Sequence, residues 1–213
     1  AYQAAEAILA EKNTLEDFNA ETYTLPNNYQ SVENITALER GMSSNYTQAA
    51  VLSEALASLY KEGDLRLDAY FKAADKNGYR FSQKSGKDDF RCSFRVGEMY
   101  LNSAEAAAQS DKLPQARTRL LELMQKRYTP EAYTVKATAV NAMTKEALIQ
   151  EILDERAREL AFEGHRWFDL RRTTRPRIEK VLKGGTYVLE QDDSRYTIQI
   201  PREAIAANPE LSN

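Results

Sequence analysis

The stretch TKEALIQEILDERARELAFEGHRWFDLRR, residues 144–172, decides how this 213-residue chain is read. Thr144 stands where an N-cap belongs, since its hydroxyl can accept from the unpaired N–H groups of a first turn, and Glu146 sets a negative charge against the positive end of the helix dipole. Leu148, Ile149, Ile152, Leu153, Leu160 and Trp167 recur at helical spacing, which predicts one helix of more than about five turns. The opposite face is dense in charge. Glu155–Arg158, Arg156–Glu159 and Glu163–Arg166 lie three residues apart. In water such a pair contributes only about 0.2–0.5 kcal/mol. Arginine is also the side chain best shaped for buried bidentate carboxylate pairs. This density around Trp167 and Phe168 therefore predicts a structural knot gripping neighbouring loops.

Working outward, residues 94–110 place Phe94, Leu101, Ala104, Ala107 and Ala108 on one helical face. Residues 114–127 do the same with Ala116, Leu120, Leu121, Leu123 and Met124, and Pro114 fits the first turn. Tyr100, Ala104, Ala116 and Leu120, followed by Pro130, approximate the spacing of a tetratricopeptide repeat, with small residues where the helices approach. Residues 2–11 carry Ala4, Ala5, Ile8 and Leu9 as a further helical stripe. Because repeat helices are stacked on neighbours, the face of Ala4, Ile8 and Leu9 predicts preceding helices and hence a chain that is part of a longer protein. Residues 49–60 read as helix and residues 65–71 as a short helix or strand, with 19–47 and 75–89 as loops. Near the end, TYVLE, a QDDS turn and RYTIQIP, with Tyr196, Ile198 and Ile200 alternating, read as strand, and Ile205 and Leu211 pack about an Asn-Pro turn. The expected class is mainly α, tetratricopeptide-like helical hairpins with a loop-rich region and a small C-terminal β-hairpin.

Composition removes several chemistries. Lys and Arg number 29 against 32 Asp and Glu, a formal net charge of -3, so no global field favours nucleic acid or an anionic membrane surface. Cys92 is the single cysteine, which excludes an intramolecular disulfide, a cysteine-rich zinc site and an iron–sulfur cluster; it reads as a small packed thiol. His165 is the single histidine and has no HExxH spacing. Neither a metal nor another cofactor is expected. The basic run Arg166, Arg171, Arg172, Arg175, Arg177, Lys180 and Lys183 reads as a helix C-terminus paired with nearby acids rather than a phosphate site.

Residues 152–172 resemble the ER-x-x-EL-x-FEG-x-R-x-x-DL-R signature of the SusD/RagB family of surface lipoproteins, with Glu155-Arg156, Glu159-Leu160, Phe162-Glu163-Gly164, Arg166, Asp169-Leu170 and Arg171 in register. GDLRLDAYF at 63–71, FRVGEMYLNSAEA at 94–106 and IPREAIAANPELSN at 200–213 agree in order and spacing. The resemblance implies a cell-surface, lipid-anchored binder of glycans or other nutrients in the outer membrane, delivering ligand to a SusC-like TonB-dependent transporter, without turnover. It also implies that the chain is the C-terminal portion of such a domain: residues 1–62 a late repeat helix with ligand-side loops, residues 63–213 the motif-bearing region, and the lipid anchor outside this sequence. Glu155, Arg156, Glu159, Glu163, Gly164, Arg166, Trp167, Asp169 and Arg171 are expected as framework, with Trp167 in the core.

Glycan binders stack sugars on exposed aromatic rings and hold hydroxyls with amides. Tyr23, Asn28, Tyr29 and Tyr46 lie in the one stretch that combines several tyrosines with amides, and they are the expected ligand contacts. Two rival readings follow from the same residues. Glu159 and Glu163, one helical turn apart, have the spacing of a carboxylate pair that a glycosidase could use; that reading requires both exposed, whereas the framework reading buries them against Arg156 and Arg166. A peptide-binding tetratricopeptide scaffold is the other.

Overall fold

The computed structural model describes residues 1–26, 28–38, 50–84, 92–182, 184–208 and 210–211. The chain divides into two compact units, Ala1–Gly164 and His165–Asn213. The first is helical. Its elements are α1 (Tyr2–Glu11), β1 (Asn34–Leu38), α2 (Glu54–Ala57), α3 (Arg66–Tyr70), β2 (Cys92–Arg95), α4 (Val96–Gln109), α5 (Leu113–Gln125), α6 (Pro130–Ala142) and α7 (Lys145–Glu159).

The α4–α5 hairpin is the centre of this unit. Ala104, Ala107 and Ala108 of α4 and Ala116 of α5 are fully buried beside Leu101, Leu120, Leu123 and Met124. Small side chains at the crossing let the two backbones approach, and each buried leucine contributes about 1.5–3 kcal/mol. Asp111 takes a left-handed φ of 60° in the connection, while the Lys112 N–H closes on the Ala107 carbonyl at 2.9 Å. Pro114 occupies the first turn of α5. Helix α1 packs on α4 through Ala5 and Leu9, and α7 packs on it through Leu148 and Ile152. Ile8 remains 37% exposed. The stripe of α1 is thus divided, with one side in this core and Ala4 and Ile8 facing out. Thr129 and Thr144 cap α6 and α7, each accepting at 3.3 Å from an N–H in the first turn.

Several sequence expectations are corrected. Phe94 is not helical: residues 92–95 form β2, which pairs antiparallel with β1, and Phe94 points outward at 62% exposed while Arg95 is buried. Residues 19–47 accordingly contain a strand, irregular between Asn34 and Thr36. Among the described residues 50–60, Glu54–Ala57 is the helical part, capped by Ser53. Residues 65–71 resolve as helix α3. The predicted long helix over 144–172 is two helices. Helix α7 stops at Glu159, Phe162 and Gly164 adopt φ of 62° and 84°, and α8 (Arg166–Arg172) begins after them. Such a left-handed pair cannot continue an α-helix, and glycine is the residue that takes it at least cost.

The second unit holds α8, the hairpin β3 (Ile178–Leu182) and β4 (Gly185–Leu189), a tight 3₁₀ turn at Ser194–Tyr196 and α9 (Arg202–Ala207). The hairpin lies one strand earlier than the sequence suggests. TYVLE pairs with IEKVL, and Tyr196 is in the 3₁₀ turn because the Asp193 carboxylate accepts from the Arg195 N–H at 2.9 Å. Leu211 returns its N–H to the Asn208 carbonyl in the tail turn.

Candidate functional site

Helix α7 carries Glu155 and Glu159 one turn apart on a face that meets three other segments. Among the described residues, five cations converge there on five carboxylates: Arg66, Lys84, Arg95, Arg127 and Arg158 against Glu33, Asp64, Glu155, Glu159 and Glu163. Glu159 is at the middle. Its carboxylate accepts from Arg66 at 3.0 Å, Arg95 at 2.7 Å and Arg127 at 3.0 Å, with the Tyr70 hydroxyl at 3.3 Å. Glu155 accepts from Arg66 at 2.6 Å and from Arg158 on its own helix at 2.6 Å. Arg66 closes on Asp64 with two further bonds.

The helix break has a purpose here. It swings Glu163 to Arg95, which donates to it at 2.8 and 2.9 Å, and to Lys84. Lys84 lies over the Tyr70 ring at 4.0 Å and donates to the Glu159 carbonyl at 2.7 Å. Burial by itself would raise the Glu159 carboxyl, but Arg127, Arg95 and Arg66 hold it well below the usual carboxylate range. Burial likewise opposes Glu163, and Arg95 and Lys84 bring it down to about 2. Lys84 is pushed down to about 8 by burial against the pull of Glu163. A carboxyl so low cannot hold a proton to donate near neutral pH, which is the opposite of what a glycosidase general acid needs.

The partners expected from sequence are half right. Glu155–Arg158 forms as spaced. Glu159 is buried and Glu163 largely so, its side chain 13% exposed, but their cations come from α3, β2, the α5–α6 connection and Lys84, not from Arg156 or Arg166. Arg156 reaches across to Asn102 at 2.7 Å and Glu105 at 3.7 Å of α4. Arg166 is exposed in the second unit. The signal that would have found the true partners is Gly97. An added Cβ there would sit 2.4 Å from an Arg95 nitrogen, 3.1 Å from Glu159 and 3.2 Å from Glu33, so the first turn of α4 has room for the cluster only without a side chain.

Of the expected ligand contacts, Tyr46 lies outside the described residues. Tyr23 and Tyr29 are 40% and 54% exposed on the loop between α1 and β1. Tyr23 packs on Phe18, ring centroids 4.6 Å apart. The Asn28 side-chain oxygen accepts from the Gln30 N–H at 3.0 Å, which commits it to the turn. In the second unit Trp167 is not core: it is 36% exposed and stacks at 5.1 Å and 8° on fully buried Tyr196, whose hydroxyl donates to the Pro176 carbonyl. Asp169 is buried and accepts from Arg172 at 2.7 Å, Gly164 precedes α8 and Arg171 lies in its last turn. A groove of about 430 Å³ opens between α1 and α5, lined by Tyr2, Glu6, Gln115, Arg119 and Glu122 among others, and it includes none of the expected contacts. Among the described residues no group of three or more His, Cys, Asp or Glu could hold a metal ion.

A family model described as the SusD family matches residues 22–213. The chain belongs to the SusD family. Solved structures share its fold: a SusD-like carbohydrate binding protein from Bacteroides vulgatus (18% identity, TM-score 0.65, 98% of this chain and 54% of that one) and a SusD superfamily protein from Bacteroides thetaiotaomicron (19%, TM-score 0.70, 98% and 54%). A further SusD superfamily protein from Bacteroides vulgatus aligns over the whole chain at 21% identity and TM-score 0.62. This SusD-family chain spans about half the length of those solved relatives. No curated protein matches it. The ion-pair cluster includes Glu155, Glu159 and Glu163, three of the residues that carry the resemblance.

Proposed function

We propose that this chain is the C-terminal portion of a non-catalytic, cell-surface glycan-binding protein that is lipid-anchored in the outer membrane and hands its ligand to a SusC-like TonB-dependent transporter. The observation that carries the reading is the family match over residues 22–213. The kinship of the fold with a carbohydrate binding protein of the same family supports it. So do the burial of Glu159 and the pairing of Glu163 with Arg95 and Lys84, which put the two carboxylates to structural use. Tyr23 and Tyr29, with Tyr46, are the proposed sugar contacts: exposed rings offer flat apolar faces to the C–H face of a pyranose. Asn28 shapes the turn that holds Tyr29.

Calorimetric titration with neutral gluco-, xylo- and manno-hexasaccharides tests this. The expected result is binding of at least one, weakened about tenfold by Tyr23→Ala or Tyr29→Ala, which is about 1.4 kcal/mol. Failure of every saccharide to bind the unaltered chain would remove the glycan reading. Hydrolysis of any of them would remove the non-catalytic one.

A further inference from the structure

The loop that carries Tyr23 and Tyr29 has almost no regular structure, yet a buried carboxylate at its start, Glu16, joins it to the buried cluster that Glu33 enters at its end. Glu16 is buried, and its two oxygens divide the loop between them: one accepts from the Ser31 hydroxyl at 2.9 Å and the Val32 N–H at 3.1 Å, the other from the Thr24 N–H at 3.1 Å. The Glu16 backbone is itself held. Its N–H donates to Glu33 at 3.0 Å, and its carbonyl accepts from Arg127 at 2.6 Å. Arg127 continues to Glu33 at 2.5 Å and to Glu159 at 3.0 Å.

The same guanidinium lies 4.5 Å over the Phe18 ring, whose neighbour is Tyr23. Phe18 is buried and also meets Tyr70 edge-on at 5.6 Å. Two routes therefore run from the signature glutamate to the exposed tyrosines: Glu159 through Arg127 and Phe18 to Tyr23, and Glu159 through Arg127 and Glu16 to the backbone at 24 and 31–32. Pairing along the loop alone gives little to fix it. Its own backbone bonds there are turns, such as Asn28 N–H to the Leu25 carbonyl and Ser31 N–H to the Asn28 carbonyl.

We propose that Glu16 and Arg127 are positioning residues for ligand binding, transmitting the rigidity of the buried cluster to the Tyr23–Tyr29 loop so that its rings meet the sugar already in place. Preorganisation of this kind raises affinity by removing the ordering cost from the binding step. The inference rests on the reading that Tyr23 and Tyr29 touch glycan.

A double-mutant cycle tests it, using whichever hexasaccharide of the panel above binds the unaltered chain. Glu16→Ala and Tyr23→Ala are each expected to weaken binding about tenfold, and the double variant to be little weaker than Glu16→Ala alone, because loosening the loop already forfeits the Tyr23 contact. Glu16→Gln keeps one acceptor oxygen for Ser31 and Val32 and is expected to recover part of the loss. A residue that merely stabilises the fold would give losses that multiply, to about a hundredfold in the double variant, and that result overturns the proposal. Unchanged affinity in Glu16→Ala overturns it as well. Should Glu16→Ala fail to fold, Glu16→Gln paired with Tyr23→Ala carries the same cycle. Absence of any saccharide binding by the unaltered chain sinks the glycan reading itself, an outcome distinct from binding that ignores Glu16.

Discussion

Glu159 illustrates how much depends on one buried carboxylate. Three guanidiniums face it, and none of its oxygens meets water. Glu159→Gln keeps the shape and removes the charge, leaving Arg66, Arg95 and Arg127 with less compensation than their burial requires. Breaking a buried pair from one side costs about 3–5 kcal/mol, and urea unfolding should show a loss of that size. Acid should act on the same groups. The folded-state carboxyls of Glu155, Glu159 and Glu163 lie below their unfolded value near 4.5, so their stabilisation is fully present above that pH and is lost as pH falls through their folded-state values, about 2 for Glu163. Lys84 runs the other way. Its folded value near 8 lies below 10.5, so its burial opposes folding below pH 8 and that opposition fades as pH rises toward 10.5. A melting-temperature profile in Glu163→Gln with less acid sensitivity than the parent would check the carboxylate side.

At the scale of elements, Gly97 joins sequence to packing. In an ordinary helix Gly→Ala gains up to about 1 kcal/mol. Here the new methyl would press on the Arg95 guanidinium, which is pinned by Glu33, Glu159 and Glu163 and has nowhere to retreat. Gly97→Ala is expected to be net destabilising by about 1–3 kcal/mol, measured by denaturant unfolding, and a stabilised variant would show that the cluster yields. Helices α4, α5 and the start of α7 were legible because apolar period, caps and Pro positions agree: Ala104 with Ala116, Pro114 and Thr144 all point the same way, whereas α6, whose single buried residue is Val140, has no apolar stripe to read. The break at 160–164 was not legible, since Phe162 has no local reason to be left-handed; its reason is the distant Arg95 that Glu163 must reach. β3 escaped notice because Glu179 and Lys180 hide it within a charged run, and it is defined only by its partner β4.

For the whole molecule, the family was legible in the sequence, and none of its described helices is long and apolar enough to cross a membrane. What local pattern does not carry is which arginine finds which glutamate. Arg66 and Glu159 are 93 residues apart, Glu33 and Arg127 94, Lys84 and Glu163 79. Composition drew attention to Tyr23 and Tyr29, the proposed contacts, but not to Glu16, a single acid in an unpatterned stretch that holds their loop.

Those long separations bear on time as well as on energy. Closing loops of this length is entropically slow to be repaid, and ions lose their water only when the surrounding shell is complete. The buried cluster is therefore expected to assemble after the α4–α5 hairpin has formed, late on the folding route. A change confined to such late contacts leaves the folding rate nearly untouched and appears in the unfolding rate. In stopped-flow chevrons Glu159→Gln should unfold more than about a hundredfold faster and refold within about twofold of the parent. The signature glutamates would then determine how long a folded molecule lasts rather than how quickly it forms.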